Sequence, residues 1–160
     1  MKRNNFEKAI VTLEFDKIRQ MLCDVAPTAG AKSMALSLMP SASAAEVRTL
    51  LAETDAAKAM QALKGMPPFY GIADVTDSLE RADKGAVLST RELLDIGSVL
   101  RAARGLREYA NLSHSEENAL TEYFSRLVPN KYLEEKISVC IQSEDMISDA
   151  ASEKLADIRR

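Results

Sequence analysis

Tryptophan is absent from this sequence of 160 residues, and aromatic residues make up only 5% of it. A hydrophobic core must therefore be built from aliphatic side chains, alanine and methionine. Glycine and proline are also scarce, with six and five residues, whereas alanine and leucine are abundant. Because alanine and leucine favour helices while glycine and proline interrupt them, the composition predicts a mainly helical fold.

Long hydrophobic runs and a strong charge of one sign are missing as well. No apolar run approaches the ~20 residues that a membrane-spanning helix needs, so we expect no membrane partner. The net charge of -3 argues against a strongly basic nucleic-acid-binding domain. Apolar residues at 46% and charged residues at 28% are typical of a globular domain rather than a disordered chain.

Residues that bind metals or act as nucleophiles are few. The one histidine, His114, lies in a serine-rich break between helices, where we expect a solvent-exposed loop. Cys23 and Cys140 are far apart in sequence and do not form a zinc-type pair. We interpret both as reduced thiols that act as small apolar side chains in a cytoplasmic protein. No metal site is predicted.

Catalytic and nucleotide-binding patterns are missing too. The acidic pairs Glu116-Glu117 and Glu134-Glu135 each occupy adjacent positions, which diverge by about 100° on a helix. We therefore predict that both pairs are solvated rather than convergent on one site. The pattern G-x-x-x-x-G-K-[ST] does not occur, which excludes a Walker-type nucleotide site within this chain. No catalytic or cofactor-binding residue is predicted.

Apolar periodicity predicts a succession of amphipathic helices. In "TLEFDKIRQML", a helix begins at Thr12 as N-cap, ends before Pro27, and is expected to bury a stripe. Capping boxes at Ser43-Glu46 and Ser113-Glu116 predict further helix starts. The residues predicted to face the core are Phe15, Ile18, Leu22 and Val25 in the first helix, and Val47, Leu50, Leu51 and Ala57 in the helix that follows Ser43.

The middle of the chain combines a proline loop with a second long helix. "GMPPFYGI", residues 65–72, is an irregular loop in which Phe69 and Tyr70 either form an interaction surface or pack beneath it. Asp74 is predicted to cap a short helix that Gly85 ends. The capping box Ser89-Glu92 begins a helix to Tyr109 or Ala110. Its predicted core-facing residues are Leu93, Ile96, Leu100 and Ala103.

The carboxyl-terminal part has the only strand-like pattern. Ile137, Val139 and Ile141 alternate and a turn follows at Ser143-Glu144-Asp145, which predicts one short β-hairpin near residues 137–148. A helix over 116–127 precedes it. Residues 152–160 start another helix, with Leu155 and Ile158 inward and no stop signal. The predicted fold class is mainly α, a helical bundle-like core with this possible hairpin.

Arg101, Arg104 and Arg107 form a local basic cluster on the predicted central helix. Arginine binds phosphate bidentately, so these residues are candidates for phosphate or partner contact. The alternative is structural, with Arg104 paired to Glu108 four residues later and Arg101 solvated. The acidic total charge favours the structural alternative.

Three stretches in order resemble one family: "TLEFDKIRQML", "PPFYGIADVTDSLERADKGAVLSTRELLDIGSVLRAARGL" and "ISDAASEKLADIRR". They are similar to the N-terminal region of the MutS-two family, the bacterial MutS paralogues, and the resemblance covers essentially the whole chain. It implies that residues 1–150 are the N-terminal part of a MutS-type helical core. Residues 151–160 would then begin a lever helix that continues beyond Arg160.

The same resemblance implies a larger machine. Family members are cytoplasmic ATPases, expected to be homodimers, that use ATP and Mg and generally carry a nuclease domain. They act on branched DNA, suppress recombination and rescue collided ribosomes. By this resemblance the chain's partner is the remainder of its own polypeptide, and its role is to couple the ATPase state to a clamp on DNA or ribosome. The ATPase and nuclease motifs lie outside this sequence.

Two other hypotheses compete with this one. A stand-alone helical adaptor would bind a partner helix in an apolar groove. A small helical enzyme would need carboxylates that converge, and the sequence spacing disfavours that.

Overall fold

The computed structural model describes residues 8–111 and 118–159, which are helical apart from one short hairpin and the connecting segments. The predicted mainly α fold is thus confirmed. The chain divides into two compact units, Met1–Ser43 and Ala44–Arg160. The described elements of the first are a helical segment at residues 8–12 (α1), α2 (Phe15–Val25) and α3 (Ala29–Ser37). Those of the second are α4 (Ala44–Lys64), α5 (Thr76–Asp83), α6 (Thr90–Asn111), α7 (Thr121–Ser125), α8 (Lys131–Cys140), β1 (Ile141–Ser143), β2 (Met146–Ile147), a 3₁₀ turn (Asp149–Ala151) and α9 (Glu153–Ile158).

In the first unit, α2 packs against α3. Thr28 caps α3, since its side-chain oxygen accepts a hydrogen bond from the Ala31 amide at 3.1 Å. The prediction that Thr12 caps α2 is wrong, because Thr12 lies within α1. The break falls at Glu14 instead, whose φ of 51° is left-handed and ends the run of helical dihedrals.

The stripe predicted for the first helix is not a buried face. Phe15 is half-buried, whereas Ile18, Leu22 and Val25 are exposed. In this unit α2 packs on α3, and Ala35 is the buried residue that α3 contributes. Periodicity predicted the helix correctly, but two short helices cover too little surface to bury a four-residue stripe.

The core of the second unit lies where α6 packs on α8. Ile96, Ile137 and Ile141 are its buried centre. The predicted face of α6 is confirmed, with Ile96 buried and the others half-buried. The half-buried side chains that surround the centre are Val75, Leu88, Leu93, Leu94, Leu100 and Cys140. A small cluster of aliphatic side chains thus joins α6, α8 and the start of β1.

The buried side predicted for α4 is wrong. Val47, Leu50 and Leu51 are exposed, and Met60 is the buried residue of this helix. The reason is that α4 is fastened to α6 by its carboxyl end. There Lys64 Nζ donates to the Tyr109 carbonyl at 2.8 Å, and the Tyr109 hydroxyl donates to the Gly65 carbonyl at 3.0 Å.

A side-chain capping box sets the start of α6 as predicted. The Ser89 amide donates to Glu92 Oε2 at 2.8 Å, and the Glu92 amide donates to Ser89 Oγ at 3.3 Å, which is a complete capping box. The prediction that Asp74 caps α5 is wrong by one residue, since the N-cap is Val75, which makes no side-chain cap hydrogen bond. Asp74 Oδ1 accepts from the Thr76 amide at 3.1 Å just before that position. Gly85 follows α5 with a φ of 82°. The capping box predicted at Ser113 lies outside the described residues.

The predicted hairpin near residues 137–148 is confirmed, with narrower bounds. β1 and β2 are antiparallel, Ile141 pairs with Ile147, and the chain turns at residues 144–145. The alternation assigned to Ile137 and Val139 is wrong, since α8 extends to Cys140 and Ile137 serves the helical core. Asn130 starts α8 by accepting from the Leu133 amide at 3.0 Å.

Two further helices differ from their predictions. The helix expected over 116–127 is the short α7, and residues 118–120 before it are not helical. Ser152 caps α9, accepting from the Leu155 amide at 3.2 Å. Leu155 is half-buried as expected, but Ile158, the last residue of α9, is exposed.

Candidate functional site

The arginine cluster of α6 meets an acidic residue of α8. Arg101, Arg104 and Arg107 lie one turn apart, and Glu134 faces the first two. Two of the three sequence-predicted arginines thus lie in one ionic network, which we call the arginine–glutamate cluster: Arg101, Arg104, Glu108 and Glu134. Arg107 lies on the same helix but contacts a different element.

Arg104 uses all three of its nitrogens in this cluster. Its Nε donates to Glu134 Oε2 at 2.9 Å and its Nη2 donates to Glu134 Oε1 at 2.9 Å, which is a bidentate pair. Its Nη1 donates to Glu108 Oε1 at 3.1 Å. The predicted pairing of Arg104 with Glu108 is confirmed, and these hydrogen bonds raise the pKa of the Arg104 guanidinium.

Glu134 is 6% exposed and is the buried charged residue of the described part of the chain. The hydrogen bond from Arg104 holds its pKa below the usual range, although burial acts in the opposite direction. The prediction that Glu134 is solvated is wrong. Its neighbour Glu135 is exposed, as predicted, and lies 3.5 Å from Lys131 Nζ.

The sequence contained a signal for this burial that the paired-carboxylate interpretation missed. Glu134, Ile137 and Ile141 follow an i, i+3, i+7 spacing, and the two isoleucines belong to the core. A carboxylate on that face must enter the interface with α6. An arginine on α6 is then needed to satisfy it, since a buried unpaired charge is costly.

Arg107 and Arg101 differ in the hydrogen bonds that their guanidinium groups make. Arg107 Nη1 donates to the Phe124 carbonyl at 2.6 Å and ties α6 to α7. Arg101 touches Glu134 through Nε alone, at 3.4 Å, and its side chain is 60% exposed. Its two Nη atoms have no partner among the described residues. The prediction that these arginines contact phosphate or a partner stays a prediction.

Two shallow grooves flank Arg101. The first, of about 420 Å³, is lined by Pro68, Tyr70, Gly71, Ser98, Arg101, Ala102, Arg104 and Gly105. The second, of about 320 Å³, lies between α6 and α8 and shares Ser98 and Arg101 with the first. The sequence left open whether Phe69 and Tyr70 form a surface or pack beneath it. In the structure Tyr70 is 80% exposed and Phe69 is 38% exposed.

The loop that forms one wall is held close to α6. A Cβ built on Gly105 would lie 3.3 Å from Pro68 Cγ, so the absence of a side chain there lets the loop approach the helix. Gly71 has a φ of 73°, a left-handed conformation that also favours glycine.

Side chains that bind metal ions do not come together in the part of the chain that the structure describes. No group of three or more His, Cys, Asp or Glu side chains there fits a metal ion. Cys23 and Cys140 are half-buried free thiols. His114 and the Glu116-Glu117 pair lie outside the described residues.

No helix among the described residues is long and apolar enough to cross a membrane. What the fold and the cluster define is an α-helical module in which a buried glutamate and its arginine partners join α6 to α8.

Comparison with known proteins shows where such a module occurs. The chain is 41% identical over 157 residues to an "Endonuclease MutS2" of Acetivibrio thermocellus, 42% over 156 residues to that of Ruminiclostridium cellulolyticum, and 37% over 162 residues to that of Halothermothrix orenii. Each match covers 96% of this chain and 20% of the relative. No family model matches the chain.

The predicted relationship to the MutS2 family is confirmed, for a stretch of sequence that spans about one fifth of the curated relatives.

Proposed function

We propose that this chain is the N-terminal part of the helical core of a MutS2-type endonuclease. Residues 1–150 would form the core segment and residues 151–160 would begin the lever helix. In this role the chain performs no chemistry itself. It packs against the rest of the polypeptide and couples the ATPase state, with ATP and Mg bound elsewhere, to a clamp on branched DNA or a ribosome.

The observation that carries this proposal is the exposed apolar face of α4. Val47, Leu50 and Leu51 lie on one side of this helix, yet each is at least 36% exposed. A soluble domain on its own rarely leaves such a stripe uncovered, so the face is suited to burial against another part of a longer chain. The chain matches only one fifth of the Acetivibrio thermocellus relative. In a polypeptide of that length, the other four fifths would contain the surface that covers α4.

The arginine–glutamate cluster supports a mechanical role within the same unit. Arg104 and Glu134 join α6 to α8, and Arg107 joins α6 to α7. Directional contacts thus link three helices, and the aliphatic core additionally joins α6 to α8. A force applied to one of them is passed to the others, which is what a coupling element requires.

A chimera tests the proposal. The matching fifth of the Acetivibrio thermocellus relative is replaced by this chain, and assembly, ATP hydrolysis and endonuclease activity are measured. We expect a folded chimera that retains these activities and the oligomeric state of the unaltered relative, which we propose to be a homodimer. A folded but inactive chimera would count against the coupling role.

The α4 face is tested in the same chimera with matched variants. Leu50→Glu with Leu51→Glu is expected to lower activity, because two carboxylates would enter the proposed contact. Arg48→Ala, an exposed change on the same helix, is the control and should leave activity unchanged. If the stand-alone adaptor hypothesis were correct, the leucine variants would behave like the control.

A further inference from the structure

We propose that residues 141–159 form a strap whose direction is set by a releasable latch at the start of α6. The strap comprises the hairpin, the 3₁₀ turn and α9. The latch is the set of contacts that Glu144 makes with Thr90 and Arg91. The inference concerns contacts within this chain, so it holds whether or not α9 begins a lever helix.

The hairpin is too short to hold itself. Its strands have three and two residues, and an isolated two-stranded hairpin is at best marginally stable in water. The turn does not favour it either. Two-residue turns match the twist of a hairpin when the first residue or both have a positive φ, and neither Glu144 nor Asp145 has one. Contacts outside the hairpin must therefore stabilise it.

These outside contacts lie at the base of the hairpin and at its turn. At the base, Ile141 belongs to the buried core. At the turn, the Thr90 hydroxyl donates to the main-chain carbonyl of Glu144, and the Arg91 guanidinium pairs with the Glu144 carboxylate. Thr90 and Arg91 are the first two residues of α6. One turn residue thus joins the hairpin to α6 through both its main chain and its side chain.

The second strand of the hairpin carries α9. The Ser148 amide donates to the Cys140 carbonyl at 2.8 Å and closes the hairpin. Arg159, which follows α9, donates from Nη1 to the Ile147 carbonyl at 2.8 Å and to Asp149 Oδ1 at 2.7 Å. Because Arg159 ties the end of α9 back to β2, the direction of α9 follows that of the hairpin.

The latch has a built-in second state. The Arg91 and Glu144 side chains are 62% and 55% exposed, and ion pairs this exposed are weak and screened by salt. Arg91 also contacts Asp95 on its own helix, with 3.3 Å between Nε and Oδ2. When Glu144 leaves, Arg91 keeps Asp95 as its partner and Glu144 enters water. Release therefore leaves no buried or unpaired charge.

Hydrogen exchange and residual dipolar couplings of the 160-residue chain test the latch. Protection of the Ser148 amide reports closure of the hairpin, and the amide couplings report the direction of α9 relative to α6. We expect the couplings of both helices in the natural sequence to fit one alignment. Raising NaCl to about 1 M, where the screening length is about 3 Å, should lower the protection of Ser148.

Variants separate the two halves of the latch. Glu144→Gln removes the ionic half, so Ser148 should exchange about two- to fivefold faster and lose its salt dependence. Adding Thr90→Val removes the hydroxyl donor as well and should also shrink the couplings of α9 relative to those of α6. The control is Glu135→Gln, the same change in an exposed ion pair of α8 with Lys131, which should alter neither readout.

Four outcomes would overturn the proposal. In the natural sequence, these are an unprotected Ser148 amide, or α9 couplings that do not fit the alignment of α6. In a folded double variant, it is protection and couplings like those of the natural sequence. The fourth is an equal salt effect in the natural sequence and in Glu144→Gln, which would assign the salt effect to another ion pair. Thermal melting verifies that each variant is folded, and the salt series on the natural sequence needs no variant.

Discussion

Gly97 of α6 lies so close to Ile137 of α8 that a Cβ added at position 97 would come within 3.2 Å of the Ile137 Cγ2 atom. This contact is tighter than ordinary van der Waals packing, and both residues are buried. The glycine therefore sets the distance between the two helices that carry the core and the arginine–glutamate cluster.

Replacement of this glycine should destabilise the protein despite a gain in helix propensity. Alanine is favoured over glycine within a helix by about 1 kcal/mol, whereas overpacking a core costs about 1–3 kcal/mol. We expect Gly97→Ala to lower the free energy of unfolding by about 1 kcal/mol, measured by urea denaturation.

A double-mutant cycle separates the two effects. In an Ile137→Ala background the Cγ2 atom is gone, so Gly97→Ala should become stabilising. Gly30→Ala, where nothing lies within 4 Å of the added Cβ, is the control for an open site. The same sign of effect in both Ile137 backgrounds would show that the close contact is not what constrains position 97.

Glu134→Ala should be far more disruptive than the same change one residue later. Its removal leaves the Arg104 guanidinium without its bidentate partner at a buried helix contact. We expect a loss of about 2–3 kcal/mol in the free energy of unfolding. Glu135→Ala, on the exposed side of α8, should change it by less than about 0.5 kcal/mol. Equal losses in the free energy of unfolding for the two variants would show that the buried pair of Glu134 does not stabilise the fold.

Acid should weaken the start of α6. Hydrogen bonds from the Ser89 amide and hydroxyl lower the pKa of Glu92 to about 2. The unfolded chain therefore binds the proton at a higher pH than the folded one, and the contribution of Glu92 is present above its unfolded pKa of about 4.3. It is lost as pH falls from there toward 2.

Melting temperatures recorded across this acid range provide the measurement. The variant Glu92→Gln does not titrate, and glutamine is compatible with a capping box. Its melting temperature should fall less steeply with decreasing pH than that of the natural sequence. Parallel curves would mean that Glu92 does not contribute to the acid sensitivity.

The 160-residue chain should bind branched DNA weakly or not detectably. Its net charge is -3, and the guanidinium of Arg104 is fully engaged by glutamates. Fluorescence anisotropy with a labelled four-way junction, at two salt concentrations, is the measurement. A submicromolar complex that weakens with salt would contradict this expectation.

Local signals in the sequence were sufficient for the start of α6 and for the hairpin, but not for the starts of α2 and α7. The capping box joins Ser89 and Glu92, which are three positions apart, so the local sequence contains both partners. Periodicity also predicted Ile96 as a core residue, and this is correct because α8 packs on that face of α6.

Long-range pairing was not accessible in the same way. Glu134 contacts arginines 30 and 33 residues earlier, and no local pattern specifies that encounter. The predicted burial of the apolar stripes of α2 and α4 is wrong for a related reason. Periodicity defines an apolar face, but burial also requires a partner surface, which the described residues of each unit do not supply there.

The tie between Lys64 and Tyr109 joins positions 45 residues apart at the carboxyl ends of α4 and α6. The Lys64 ammonium donates hydrogen bonds to carbonyls at the end of α6. The Tyr109 hydroxyl donates to the Gly65 carbonyl, which follows α4. Neither helix end can fray without breaking the hydrogen bonds of both. The amides of these two segments should therefore exchange with solvent through one shared opening, with similar protection, and Tyr109→Phe should weaken that protection at the end of α4.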